Sequence, residues 1–269
     1  MIQKLNNRDV ELNQIYNMDC REGLKLIPDG SVDLVITSPP YNIGKEYEKR
    51  QPISEYVSWM KQVIKECTRV VSNQGSVVFQ LGNYVDKGAV FPIDCILFPE
   101  FIKQGLIPRS RIVWTFGHGM HCSKRFSARY ETALWFTKTD DYIFNLDAVR
   151  IPQKYPGKRH YKGANKGLLS GNPLGKNPSD VWEITNVKHN HPEKTEHPCQ
   201  FPLDFANRII LSLTNKGGVA LDPFMGSGTS AVAATMHHRD FIGFETESKY
   251  IEIANNRIHD MKEITSHVG

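Results

Sequence analysis

The sequence predicts an α/β protein built on a doubly wound, mostly parallel sheet with an inserted subdomain. Three observations predict it. Short apolar, β-rich runs alternate with segments of helical spacing along most of the 269 residues. The runs are continuously apolar rather than alternating, as strands covered on both faces are. One stretch, about 138–192, breaks the alternation and offers no long apolar run.

Taken in order, Ser31–Thr37 reads as a buried strand ended by Pro39-Pro40. Ser54–Val71 places Tyr56, Val57, Met60, Val63, Ile64, Cys67 and Val70 on one helical stripe. Gly75–Leu81 is a second strand, and Phe91–Lys103 a helix. Arg111–Trp114 and Thr132–Phe136 are strands expected to pair antiparallel. Phe201–Leu213 is a helix, Gly218–Asp222 a strand, Thr229–His237 a helix, Phe241–Glu245 a strand and Lys249–Met261 a last helix. The expectation is a single domain over 1–269, with about 138–192 as an inserted subdomain.

Composition bounds the function. At 40% hydrophobic and 23% charged, the chain is neither disordered nor collagenous. No apolar run reaches the roughly 20 residues of a membrane helix, and residues 1–9 lack the apolar core of a signal peptide. A cytoplasmic protein without membrane contact is expected. Five scattered cysteines without Cys-x-x-Cys argue against a disulfide framework. The groups His118/His121/Cys122 and His189/His191 fall short of a zinc ligand set, so no metal is expected.

The net charge of +4 is unevenly spread. Residues 150–176 hold Arg150, Lys154, Lys158, Arg159, Lys162, Lys166 and Lys176 and no acid, so the rest of the chain is net acidic. Three prolines, five glycines, Tyr155, His160 and Tyr161 lie among those cations. A solvated loop and a phosphate-binding surface both fit this composition; a polyanion would gain from the clustering through counterion release.

Two motifs carry chemistry. Asp222-Pro223-Phe224-Met225-Gly226-Ser227-Gly228-Thr229 lies between a strand and a helix, and Glu245 follows 23 residues after Asp222 at the end of the next strand. Glycines let a ligand approach the backbone, helix N–H groups suit a carboxylate, and a distant acid suits ribose hydroxyls. This coupling favours a nucleoside cofactor over a plain glycine turn. No Lys follows the second glycine as in a phosphate-binding P-loop.

The second motif is Thr37-Ser38-Pro39-Pro40-Tyr41-Asn42. Two prolines remove N–H donors while leaving carbonyl acceptors, Ser38 adds a hydroxyl, and Tyr41 a flat face. The set suits a planar ring bearing an amino group, and equally a rigid turn that merely ends a strand.

Together the two motifs resemble the S-adenosylmethionine-dependent DNA amino-methyltransferases. The catalytic motif precedes the cofactor motif with a basic insertion between them, similar to the order of the family's β group, which implies that about 138–192 is the target-recognition region. Three further segments match. Asn17-Met18-Asp19-Cys20 resembles the opening motif, whose acid meets the cofactor adenine. His197-Pro198-Cys199-Gln200-Phe201-Pro202 resembles the segment covering the methionine part. Arg125–Glu131 and Leu134-Trp135-Phe136 resemble the strand pair beside the target-base pocket.

The resemblance implies a Rossmann-like methyltransferase fold and S-adenosyl-L-methionine as cofactor. It implies Asp19, Cys20, His197, Pro198, Gln200, Phe201, Asp222, Pro223, Phe224, Gly226, Ser227, Gly228, Thr229 and Glu245 as cofactor residues. Ser38, Pro39, Pro40 and Tyr41 become catalytic, and the seven cations of 150–176 become DNA-binding. The implied reaction moves a methyl group to the exocyclic amine of a flipped-out base in double-stranded DNA. Ser before Pro-Pro-Tyr is similar to N4-cytosine enzymes; N6-adenine, RNA and small-molecule acceptors remain as alternatives. A cognate restriction endonuclease and a homodimer remain open as partners.

Pro198-Cys199-Gln200 also looks like the nucleophilic motif of cytosine-C5 enzymes. Here it precedes the glycine turn and opens a helix, so no thiolate attack is expected.

Overall fold

The computed structural model describes residues 10–46, 48–119 and 121–266. The N-terminal segment 1–9, read above as lacking a signal-peptide core, lies outside the described residues.

An eight-stranded sheet forms the centre. Its strands are β1 (Gln14–Asn17), β2 (Val32–Thr37), β3 (Val71–Leu81), β6 (Ile107–Thr115), β7 (Tyr130–Thr137), β8 (Val181–Glu183), β9 (Val219–Asp222) and β10 (Asp240–Glu245). Their spatial order is β1-β10-β9-β2-β3-β7-β6-β8. β7 runs antiparallel to both its neighbours, β3 and β6, and every other pairing is parallel. The β6–β7 pairing is the expected antiparallel one. A separate hairpin, β4 (Asn83–Asp86) with β5 (Ala89–Pro92), leaves the sheet after β3.

Helices cover both faces. α1 (Cys20–Leu26), α2 (Ile53–Val70) and α3 (Ile93–Lys103) share one core with Val35, Val77, Phe79, Leu221 and Phe244. α4 (Leu203–Leu213), α5 (Thr229–Met236) and α6 (Ser248–Ser266) share the other with Leu34, Ile36, Val78, Ala220 and Phe241. Neighbouring strand residues thus feed opposite cores, the period-2 consequence of pleating. This is why Leu34–Ile36, Val77–Phe79, Val219–Leu221 and Phe241–Phe244 read as continuous runs without polar side chains.

The chain winds from β2 to β3 in one direction and from β9 to β10 in the other. β2 and β9 are adjacent, pairing Leu34 with Ala220 and Val35 with Leu221. Their carboxyl ends therefore flank the switch in winding, where open α/β sheets form a crevice for ligands. Both motifs sit there, one after each strand.

The inserted stretch differs from its expected separation. β8 pairs with β6 at the edge of the main sheet, so 181–183 belongs to the sheet. Tyr142 and Phe144 pack on Trp135, and Asn145 donates to the Thr214 carbonyl at the end of α4. Only the part between about 150 and 180 stands off. It is bracketed by antiparallel bridges at Ile151/Lys176 and Arg159/Leu169. Three residues made β8 too short to read from the sequence.

Candidate active site

Asp222 is the knot of the site. Its buried carboxylate accepts from Thr37 Oγ1 (2.6 Å), Ser230 Oγ (2.6 Å) and the Phe224 N–H (3.0 Å). One side chain thus ties the end of β2, the turn after β9 and the first turn of α5. Burial raises its pKa from 3.8 to about 6 against the pull of these donors. Asp222 faces protein on every side and does not line the cavity.

The glycine turn follows, shaped by the protein's own packing. Gly226 has φ +51°, and a Cβ there would lie 3.0 Å from His197 Nε2. Gly228 has φ +79°, and its Cβ would lie 2.6 Å from that of Ala254 on α6. Both glycines thus meet the protein's own atoms as well. Gly226 admits the imidazole that roofs the cavity, whereas Gly228 lets α5 approach α6 and lies outside the lining. Glu245 Oε2 accepts from the Gly226 N–H (2.8 Å), while Oε1 accepts from the Thr246 and Glu247 N–H groups. The acid expected to hold a ribose thus already orients the turn.

A cavity of about 460 Å³ opens over these elements. It is lined by Asp19, Cys20, His197, Gln200, Phe201, Pro223, Phe224, Gly226, Ser227, Thr229 and Glu245 from the expected cofactor set. Ser38, Pro39, Pro40 and Tyr41 line the same space. Pro198, Asp222 and Gly228 do not.

Asp19 caps α1, accepting from the Arg21 N–H at 2.8 Å, and forms a two-point ion pair with the Arg21 guanidinium. Those bonds hold its carboxyl below the ordinary range. Cys20 behind it is buried, its thiol pushed up to about 12 and hence inert at neutral pH. His197 stacks edge-on against Tyr250 with centroids 4.5 Å apart. Burial lowers its pKa to about 4, so the imidazole facing Gly226 is neutral. Trp59 meets Phe224 at 5.5 Å and adds an aromatic wall.

The Ser38–Tyr41 turn makes the second half of the cavity. Tyr56 Oη donates to the Pro40 carbonyl (2.8 Å). Among the described residues no donor reaches the Pro39 carbonyl. Ser38 Oγ lies 3.1 Å from Tyr41 Oη. Tyr41 Oη also lies within donating distance of Gln80 Oε1 (2.6 Å) and Glu131 Oε2 (3.2 Å), and Gln80 Nε2 donates to Glu131. A Cβ at Gly82 would press into the Tyr41 ring at 2.5 Å, so the ring is backed by bare backbone. Burial raises the pKa of Tyr41, with the Glu131 charge adding to it, and burial likewise raises Glu131.

Gln80 was not singled out from the sequence, and Glu131 entered only as the last residue of the Arg125–Glu131 segment, with no role of its own. Each is a polar residue beside an apolar run, Gln80 next to last in β3 and Glu131 second in β7, and that was the available signal. Trp59, Tyr250 and Arg257 were missed as well. Arg257 donates to the Ser227 carbonyl (2.7 Å) and Thr229 Oγ1 (3.1 Å), bracing the turn from α6.

The seven cations of 150–176 lie apart from this cavity. Arg150 is spent inside the fold, paired with Asp147 (2.6 Å) and donating to the Gly175 carbonyl. Lys154, Lys158, Arg159, Lys162, Lys166 and Lys176 are exposed. Arg159 donates to the Gly167 carbonyl across the arm (2.6 Å). Cys199 lines the cavity, its N–H directed to His197 Nδ1 at 3.3 Å.

With this geometry in place, comparison with known proteins decides the family. The model of the N6/N4 DNA methylase family matches residues 32–256, spanning both motifs and the insertion. The chain belongs to this family. Among its relatives, the methylase is 53% identical over 244 residues to the type II methyltransferase M.BglII of Bacillus subtilis, covering 90% of this chain and 68% of that protein. It is 32% identical over 253 residues to the DNA adenine methyltransferase YhdJ of Escherichia coli K12, covering 92% and 83%. In three dimensions the methylase superposes on the cytosine-N4-specific PvuII DNA methyltransferase with a TM-score of 0.74, at 21% identity over 96% of this chain and 95% of the other. It superposes on M1.HpyAVI in complex with S-adenosylmethionine with a TM-score of 0.61, at 24% identity over 91% and 98%. Both structures share its fold.

Proposed function

We propose that this DNA methylase uses S-adenosylmethionine to methylate N4 of a cytosine flipped out of double-stranded DNA. The observation that carries the reading is the single cavity into which both motifs open, Ser38–Tyr41 on one side and Gly226 with Glu245 on the other.

The lining residues fit the cofactor by their chemistry. Three backbone N–H groups occupy three of the roughly four lone-pair sites of Glu245, leaving one on Oε2 for a ribose hydroxyl. Phe224, Phe201 and Trp59 supply apolar walls, and neutral His197 adds no positive charge beside a sulfonium. Bound S-adenosylmethionine supplies an electrophilic methyl group.

The chain's own residues then act on the base. An exocyclic amine is a poor nucleophile because its lone pair is delocalised into the ring. Accepting its N–H bonds at Ser38 Oγ and the Pro39 carbonyl concentrates charge on nitrogen and fixes the in-line approach. As the N–C bond forms and the S–C bond breaks, one amine proton must leave. Ser38, Tyr41 and Glu131 are spaced at 3.1 and 3.2 Å, giving that proton a path to a carboxylate whose proton affinity burial has raised. Tyr41, backed by Gly82, offers its flat face to a base that has lost its stacking neighbours. The exposed cations of the arm suit phosphates.

The choice of N4 rests on Ser38, the hydroxyl ahead of Pro39-Pro40-Tyr41. N6 of adenine is the second reading, favoured by the 32% identity to an adenine methyltransferase. A cognate restriction endonuclease fits the type II relatives. Transfer of labelled methyl from S-adenosylmethionine to duplex DNA, RNA and free nucleosides tests the reading. Label in duplex DNA alone is expected; label in RNA or nucleosides without DNA would replace the substrate class.

A further inference from the structure

We infer that Phe126 is the wedge that fills the gap left in the DNA stack when the target base leaves it. The inference rests on the base-flipping reading above.

β6 and β7 end in a paired Thr115/Tyr130, closed by the Phe116 N–H donating to the Arg129 carbonyl at 3.0 Å. The loop between them projects from the sheet edge that holds the site. One residue beyond Tyr130, Glu131 reaches the Tyr41 hydroxyl, and Thr132 pairs with Leu81 at the end of β3. The His121–Arg129 segment is thus rooted at the floor of the pocket that receives the base.

Its chemistry suits a duplex. Phe126 is 100% exposed, the highest value among the exposed large apolar side chains. The turn beneath it is tied by the Cys122 N–H donating to Ser127 Oγ at 3.0 Å, which holds the ring outward. Lys124, Arg125 and Arg129 flank it, and no Asp or Glu occurs between Gly117 and Tyr130. Charge complementarity therefore selects a polyanion as the occupant of this surface. Apolar side chains inserted between base steps are how proteins offset lost stacking, and flipping a base creates the space for one. Tyr161 on the basic arm is 90% exposed, but it lies ten residues beyond the bracket at Ile151, whereas Phe126 lies five from Glu131.

The test uses a site mapped on DNA from cells expressing the chain, placed in three oligonucleotides: a matched duplex, a duplex with the target base mispaired, and the unpaired strand. Phe126→Ala should lower kcat/KM on the matched duplex by about tenfold or more, because a paired base costs most to extrude. On the mispaired duplex and the single strand it should stay within about twofold of wild type, since little or no stacking must be replaced there. Phe126→Trp should retain activity on the matched duplex, and cofactor binding should be unchanged in both variants. Equal losses on all three substrates, or no loss on any, would overturn the wedge. A wild-type chain that methylates no DNA at all would instead overturn the functional reading, and the wedge with it.

Discussion

The carboxyl ends of β2 and β9 and the basic arm of 150–180 are built on opposite principles. At the strand ends, one buried carboxylate collects three donors from three elements, and glycines meet protein atoms at contact distance. In the arm, the chain is held by backbone bridges at Ile151/Lys176 and Arg159/Leu169, with every cation but Arg150 and with Tyr155, Tyr161, Leu168 and Leu174 in solvent. The first region is organised before any ligand arrives, which favours a reaction limited by positioning. The second keeps its cations exposed, which under the proposed function would let it gain interaction energy from phosphates. A change in the first should disturb folding or cofactor, and one in the second only the salt-dependent encounter with DNA.

The largest expected effect breaks the knot. Asp222→Ala leaves the Thr37 and Ser230 hydroxyls and the Phe224 N–H without their acceptor, and should cost about 3 kcal/mol or more of stability. Denaturant unfolding measures it; a loss under about 1 kcal/mol would mean water replaces the carboxylate.

Glu245→Ala should weaken S-adenosylmethionine binding by about 1.5–3 kcal/mol, the range for hydrogen bonds to a charged group. Calorimetry on the folded variant checks it, and unchanged affinity would remove Glu245 from the ribose role.

Lys158, Arg159 and Lys162 replaced together by Ala should flatten the salt dependence of DNA binding by about 2.7 in slope, at ~0.9 per phosphate contact. Cofactor binding and melting temperature should not move. An unchanged slope would make the arm a solvated loop and end the contrast drawn here.

Glu131→Gln sharpens the comparison through pH. Burial raises the carboxyl, so wild-type Glu131 takes up its proton at higher pH than an ordinary glutamate and loses its acceptor form there. Methyl transfer should fall as pH drops through that raised value, and the Gln variant should lose this limb of the profile. A variant with the wild-type acid limb would leave Glu131 only a positioning role. The smallest effect belongs to Cys199→Ser, which should keep near-normal activity because no thiolate attack enters the reaction.

The sequence disclosed the two regions unequally. Strands buried on both faces, such as Val32–Thr37 and Asp240–Glu245, announce themselves by the apolar runs at their centres, Leu34–Ile36 and Phe241–Phe244. Edge strands do not. Gln14–Asn17 is largely polar, Val181–Glu183 has three residues, and the Asn83–Pro92 hairpin overlapped a segment read as the start of a helix. Site residues within a motif were legible because their spacing is local. Gln80 and Glu131 meet Tyr41 only through the β3–β7 pairing, and Arg257 meets the glycine turn only through α6. Such contacts are tertiary, and no local pattern encodes them. Asp222 stood out through its loop motif, and its three-donor role inside the fold became legible only in three dimensions.

Nucleoside mass spectrometry of duplex DNA treated with the protein and S-adenosylmethionine, after complete digestion, tests the central claim most directly. The account predicts N4-methylcytosine. N6-methyladenine alone would contradict the choice of target atom, and 5-methylcytosine would contradict the amine chemistry assigned to Ser38 and the Pro39 carbonyl.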